Sequence, residues 1–162
     1  MIPVNNVRVA RAAAIPGGHL IIHRSAQGNE LGLSIVETEA GPRGVLWLRS
    51  GIPVFEQVDM DCLDLGEPIF AWIPGADDFF LSQGGRSQPG QLIVQGDSVL
   101  ITGTEAGSEQ RSPSAWNVGT GRRADPDMSL AAVLADWKLG VRSVNGVFEE
   151  LVNSKEKRSF FG

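Results

Sequence analysis

Four carboxylates, Asp59, Asp61, Asp64 and Glu67, fall within the short segment DMDCLDLGE. Oxygen ligands at this density could hold Ca²⁺ or Mg²⁺. The spacing departs from an EF-hand loop, which alternates its acidic ligands ahead of a glycine and a distal Glu. A solvated acidic turn accounts for the segment without a metal, and no cofactor is expected. The two histidines, His19 and His23, are four residues apart. On a strand they share a face, but about 13 Å separates such positions, too far for one ion.

Gly119-Thr120-Gly121-Arg122-Arg123 could wrap an anion with backbone N–H groups and two guanidiniums. It lacks the Gly-Lys-Ser/Thr of a Walker loop and follows no apolar strand, so a polar linker is the plainer reading. Cys62 is the single cysteine. It can form no internal disulfide and completes no Cys-based zinc site. Acidic neighbours would raise its thiol pKa, the opposite of what a nucleophile needs. No Gly-x-Ser-x-Gly elbow occurs. These residues point away from an enzyme.

The elements that must position these groups read as strands first and a helix last. Twenty Gly and nine Pro punctuate the chain, mostly in its first two-thirds. Residues 19–24 and 31–37 predict a hairpin. Residues 44–49 alternate Val45, Trp47 and Arg49 with Leu46 and Leu48, which suits a strand between two layers. Residues 67–73 predict a further strand, and 91–94 with 99–102 predict a hairpin closed by Gly96-Asp97. From Leu130 the apolar positions Leu134, Trp137, Val141, Val144, Phe148 and Leu151 repeat at four-three spacing. That ladder predicts one amphipathic helix over 128–152, packed on the sheet or used for self-association.

The expected fold is therefore α+β in a single domain, 1–162. A twisted antiparallel sheet or partly open barrel over about 6–103 carries the helix on one face. Residues 103–127 form a long polar loop and 153–162 a C-terminal tail. At 42% apolar and 20% charged, with a net charge of -5, the chain reads as an acidic globular protein. That balance disfavours nucleic acid as a partner. Without a signal-type apolar segment or a bilayer-length run, a cytoplasmic protein off the membrane is expected.

The leading functional expectation is a non-enzymatic protein that binds another protein, possibly a second copy of itself. An assembly subunit or an inhibitor of a basic partner would fit. The long loops at 57–66, 82–90 and 103–127 are the places to carry this function. The candidate interface comprises Trp116, Arg122, Arg123, Phe160 and Phe161. Trp116 either anchors its loop to the body or stands exposed as an interface aromatic. The alternative is a small-molecule binder or enzyme with a pocket in the curved sheet, lined by His23, Trp47 and Arg49.

Overall fold

The computed structural model describes residues 1–37, 41, 43–48, 52–108, 112–127 and 129–155. In chain order its strands are β1 (Arg8–Arg11), β2 (Leu20–Ser25), β3 (Gly28–Val36), β4 (Arg43–Trp47), β5 (Val54–Glu56), β6 (Asp61–Asp64) and β7 (Ile69–Trp72). There follow β8 (Phe79–Phe80), β9 (Leu92–Gln95), β10 (Ser98–Glu105), β11 (Ser114–Asn117), β12 (Ala131–Leu134), β13 (Trp137–Arg142) and β14 (Phe148–Asn153). The only helical segments among the described residues are three 3-10 turns of three residues each.

The large sheet runs β1-β6-β2-β3-β4-β5-β10-β9-β12-β8, with β11 also paired to β10. It is mixed, not antiparallel throughout as expected, because β10 runs parallel to β5 through Thr104↔Val54 and Glu105↔Phe55. A second sheet has the order β14-β13-β7. The hairpins expected at 19–37 and 91–102 are present as β2–β3 and β9–β10.

The α+β expectation of a helix over 128–152 is overturned: no helix covers the described residues 129–152, which instead carry β12, β13 and β14. The burial there has period two, with Ala131 and Val133 inward on β12 and Trp137, Leu139 and Val141 inward on β13. Leu130 and Val144, both rungs of the supposed helix ladder, are exposed. Two glycines explain the choice. Gly146 holds φ 75° in the turn between β13 and β14, a conformation that glycine adopts without penalty. Gly140 sits at a register shift in the β13–β14 pair. A Cβ at that position would overlap the Glu149 carbonyl oxygen.

Two other expectations change. The acidic segment 59–67 is not a free turn, because Asp61–Asp64 is strand β6 between β1 and β2. The loop 103–127 contains β11, which pairs with β10 through Ile101↔Trp116 and Thr102↔Ala115.

Several strands bury both faces, and their alternate residues sort into opposite layers. Leu20, Leu46, Leu92, Ile101 and Trp116 join Trp137, Leu139, Val141 and Val152 of the small sheet in one apolar cluster. Their immediate neighbours face the other way. Ile21, Val45 and Trp47 pack with Ile15 and Cys62, while Ile93, Leu100 and Ala115 pack with Leu81, Ala131 and Val133. Each fully buried side chain of this size contributes about 1.5–3 kcal/mol. The expected two-layer position of 44–49 thus holds for the described part of that segment. Arg49 lies outside the described residues.

Candidate functional site

The candidate metal ligands do not gather into one site. Asp59 accepts from Arg11 Nη2 at 3.1 Å and from the Ala13 backbone N–H at 3.1 Å. Asp61 lies 3.6 Å from Arg11 Nη1. Asp64 is buried and accepts from Arg8 Nε at 2.8 Å, His19 Nδ1 at 2.9 Å and the Gly66 N–H at 2.9 Å. Among the described residues no group of three metal-ligating side chains gathers anywhere, Glu67 included. Here the carboxylates serve as joints between β1, β6 and the start of β2.

Cys62 points into the core beside Ile21 and Trp47. Burial pushes its thiol up to about 11, and the charges of Asp61 and Asp59 add to the effect. Alkylation of the native protein at pH 8 should therefore run roughly 100-fold slower than that of an ordinary thiol, and rise to the ordinary rate in urea. Mass spectrometry of iodoacetamide adducts over time checks this; rapid native labelling would contradict the burial.

The Gly119–Arg123 segment is closed to an anion. The N–H groups of Gly119 and Thr120 both donate to Asn117 Oδ1, and that of Gly121 donates to the Asn117 carbonyl. Arg123 lies 5.4 Å above the Trp116 ring and binds Glu37 and Glu105. Burial lowers its pKa, but the two carboxylates outweigh that and hold it raised. Trp116 itself is 0% exposed and stacks at 5.7 Å on Phe55. The expectation of an exposed interface aromatic at Trp116 is corrected: it anchors the loop. Arg122 is exposed, and Phe160 and Phe161 lie outside the described residues.

The pocket expected at His23, Trp47 and Arg49 is not assembled in the described part. Trp47 is buried and donates Nε1 to Glu56 at 3.0 Å. His23 is engaged through Nδ1 with the Asp61 carbonyl and sits 6.3 Å from the Trp47 ring.

Two other features emerge. The first is a groove of mixed polar and apolar lining formed by two adjoining clefts of about 400 and 410 Å³, which share Ser87, Ser112, Pro113 and Pro126. Its walls are the expected loops 82–90 and 103–127. One wall is fixed by Thr102 Oγ1, which lies 2.6 Å from the Gln88 carbonyl, and by Trp137 Nε1, which donates to the Gly90 carbonyl.

The second is an apolar strip on the outer strands of the large sheet. Phe80 stands opposite Ala132, Ala132 opposite Val94, and Val94 opposite Val99. Residues directly opposite share a sheet face, so the four form one row across β8, β12, β9 and β10. Val99 packs partly onto the core, but Phe80 is 59% exposed, and Leu130, two residues before Ala132, is 76% exposed. Trp72, at the edge of the small sheet, is 51% exposed and donates Nε1 to Asp78 at 3.2 Å. Asp78 also accepts from the Gly75 and Ala135 N–H groups. Burial would raise the Asp78 carboxyl, but these hydrogen bonds hold it below its ordinary value. The strip escaped the sequence reading because Phe80 and Leu130 look like core residues until the strand order is known.

Among the described residues no helix is long and apolar enough to cross a membrane. No protein-family model, no curated protein and no solved structure matches this chain.

Proposed function

We propose that this chain is a non-enzymatic protein-binding module whose binding face is the strip Phe80–Ala132–Val94 with Leu130. One observation carries the reading: two large apolar side chains stand mostly in water beside a half-exposed apolar row. Scattered surface apolar residues need no explanation, but a row continuous across neighbouring strands marks an interaction site. The strip also lies where β8 ends the large sheet, so among the described residues no further strand pairs beyond Phe80.

The test is photo-crosslinking from position 80 or 130 in an extract of the cells that make the protein. Val9, 73% exposed on the opposite edge strand β1, is the control position. A discrete protein adduct is expected from 80 and 130 and not from 9. The double variant Phe80→Ser/Leu130→Ser should lose at least about tenfold in partner recovery, since central apolar anchors are each worth 1 kcal/mol or more. Its thermal midpoint should stay within about 2 °C of the parent, because both side chains are already exposed. Identical adducts from all three positions, or none, would rule the reading out.

A second reading rests on the groove between 82–90 and 112–126. Its volume suits a small ligand, and Ser87, Ser114, Arg123 and Asp125 line it. Glu37 and Glu105 pair with Arg123, which leaves Arg86 and Asp125 as the other charged side chains lining the groove.

A further inference from the structure

Residues 1–11 hold no buried side chain; Ala12 is the first residue of the chain to be buried. The segment is nonetheless docked at both ends. The Met1 carbonyl accepts the Val144 N–H at 3.1 Å, beside the turn between β13 and β14. At the other end β1 caps the large sheet by pairing with β6, from Arg8↔Asp64 to Arg11↔Asp61. Beyond the backbone ladder, most of what holds β1 is ionic. Arg8 Nε lies 2.8 Å from Asp64, and Arg11 lies 3.1 Å from Asp59 and 3.6 Å from Asp61. Both arginine side chains are more than half exposed. On one face of the pair Val9 stands opposite Leu63, and both are exposed. On the other, Ala10 stands opposite Cys62 and rests partly on the cluster that buries its thiol.

Directly after β1 the attachment changes in kind. Ala12 and Ile15 are buried, and the Ala12 N–H donates to the Met60 carbonyl at 2.8 Å. The Ala13 N–H donates to Asp59 Oδ1 at 3.1 Å, and its carbonyl accepts from Arg43 Nη1 at 2.7 Å. Residues 12–15 are therefore an anchor, and the eleven residues before them are tied down without being packed in.

We infer that residues 1–11 are a releasable strap, which undocks as a unit ahead of the Ala12–Ile15 anchor while the rest of the fold stays closed. Undocking uncovers Cys62 and the outer backbone edge of β6. Release forfeits the β1–β6 hydrogen bonds and screened ion pairs but withdraws no buried side chain, which places it among the low-cost local openings of a fold. Asp64 is not stranded by it, because His19 and the Gly66 N–H remain bonded to its carboxylate. Exposed ion pairs weaken as salt rises, so ionic strength sets how often the strap is open. While docked, the strap covers an edge that would otherwise offer unpaired N–H and C=O groups to another strand.

The test follows alkylation of Cys62 by iodoacetamide in the full chain at pH 8, mapped by mass spectrometry, together with amide hydrogen exchange. The labelling rate should rise about three- to tenfold between 50 mM and 1 M NaCl, as expected when a few exposed ion pairs are screened. Its dependence on low urea should be no more than about a third of the equilibrium m-value, because little surface opens. Amides of β1 should exchange on the same footing while those of β3 and β10 stay protected. Two variants bracket the result. Val9→Cys/Leu63→Cys places thiols at directly opposed positions, a spacing that a disulfide spans. Once oxidised, it should slow Cys62 labelling at least about tenfold and remove the salt effect. Arg11→Gln should do the reverse, raising labelling at 50 mM NaCl about threefold and reducing the response to salt.

A urea dependence equal to the full m-value would mean that Cys62 is reached only by global unfolding, and the strap would be rejected. Labelling indifferent to salt, or unchanged by the oxidised crosslink, would equally overturn it, since the thiol would then be reached by a route that leaves β1 in place.

Discussion

Gly140→Ala is expected to destabilise the protein by about 2–3 kcal/mol, the upper range for forcing extra volume into a packed interior. At roughly 2–4 °C per kcal/mol for a chain of this size, the thermal midpoint falls by about 5–10 °C. The cause is local. Gly140 is buried at the irregularity where β13 meets β14, and a methyl there would run into the Glu149 carbonyl oxygen, with the Glu149 carbonyl carbon and the Phe148 ring close behind. Backbone cannot step aside as a flexible side chain can. A helix over 128–152 predicts the opposite sign, because Ala replaces Gly in a helix with a gain of up to about 1 kcal/mol. One urea titration therefore separates the two architectures by direction as well as size. An unchanged m-value would show that the midpoint shift reports stability alone. Gly75→Ala is the matched control: the nearest atom to a Cβ there is Asp136 Oδ2 at 3.6 Å, an ordinary contact. Its midpoint should barely move, and a stabilised Gly140→Ala would mean the β13–β14 hairpin is not the native structure.

The sequence carries the hairpins plainly and conceals the C-terminal sheet, for one physical reason. In 19–37 and 91–102 a single strand period runs unbroken to a turn of small or polar residues, so local pattern and pairing agree. In 130–151 three short strands succeed one another, and their period-two sets drift in and out of step with a four-three ladder. Trp137 and Val141 satisfy both periods and are buried; Leu130 and Val144 satisfy only the helical one and are exposed. Asn145-Gly146, which would be a cost inside a helix, is the turn signal that decides it. The candidate sites divide similarly. That 82–90 would connect strands and not form one was legible in its Ser, Gly and Pro, whereas 103–127 hid a strand, since β11 pairs with β10. The exposure of Phe80 was not legible. It follows from β8 being last in a strand order set by contacts such as Val133↔Phe79, which join segments more than fifty residues apart. Trp116 fails in the other direction: its polar neighbours suggest solvent, but pairing with Ile101 turns the ring into the core.

Asp64→Ala is expected to cost about 2–3 kcal/mol at pH 7, measured by urea denaturation. Hydrogen bonds to a charged group are worth about 1.5–3 kcal/mol, and removing the carboxylate strands the Gly66 N–H that it satisfies. The contribution of Arg8 is discounted, since its side chain is 59% exposed and well screened. The pH dependence follows from the same geometry. Burial raises the Asp64 carboxyl, but hydrogen bonds from Gly66, Arg8 and His19 outweigh burial and hold it below its ordinary value of 3.8. A carboxyl depressed in the folded state stabilises fully above its unfolded pKa and loses that contribution as pH falls through the folded one. The stability gap between the parent protein and Asp64→Ala should therefore be constant from pH 7 to about pH 5 and close below pH 4. Because Asp64 holds Arg8 of β1 against β6, amide exchange over residues 8–11 should accelerate in the variant before exchange in β13 does. A gap as wide at pH 3 as at pH 7 would mean that packing of the side chain, and not its charge, joins the N-terminal strand to the sheet.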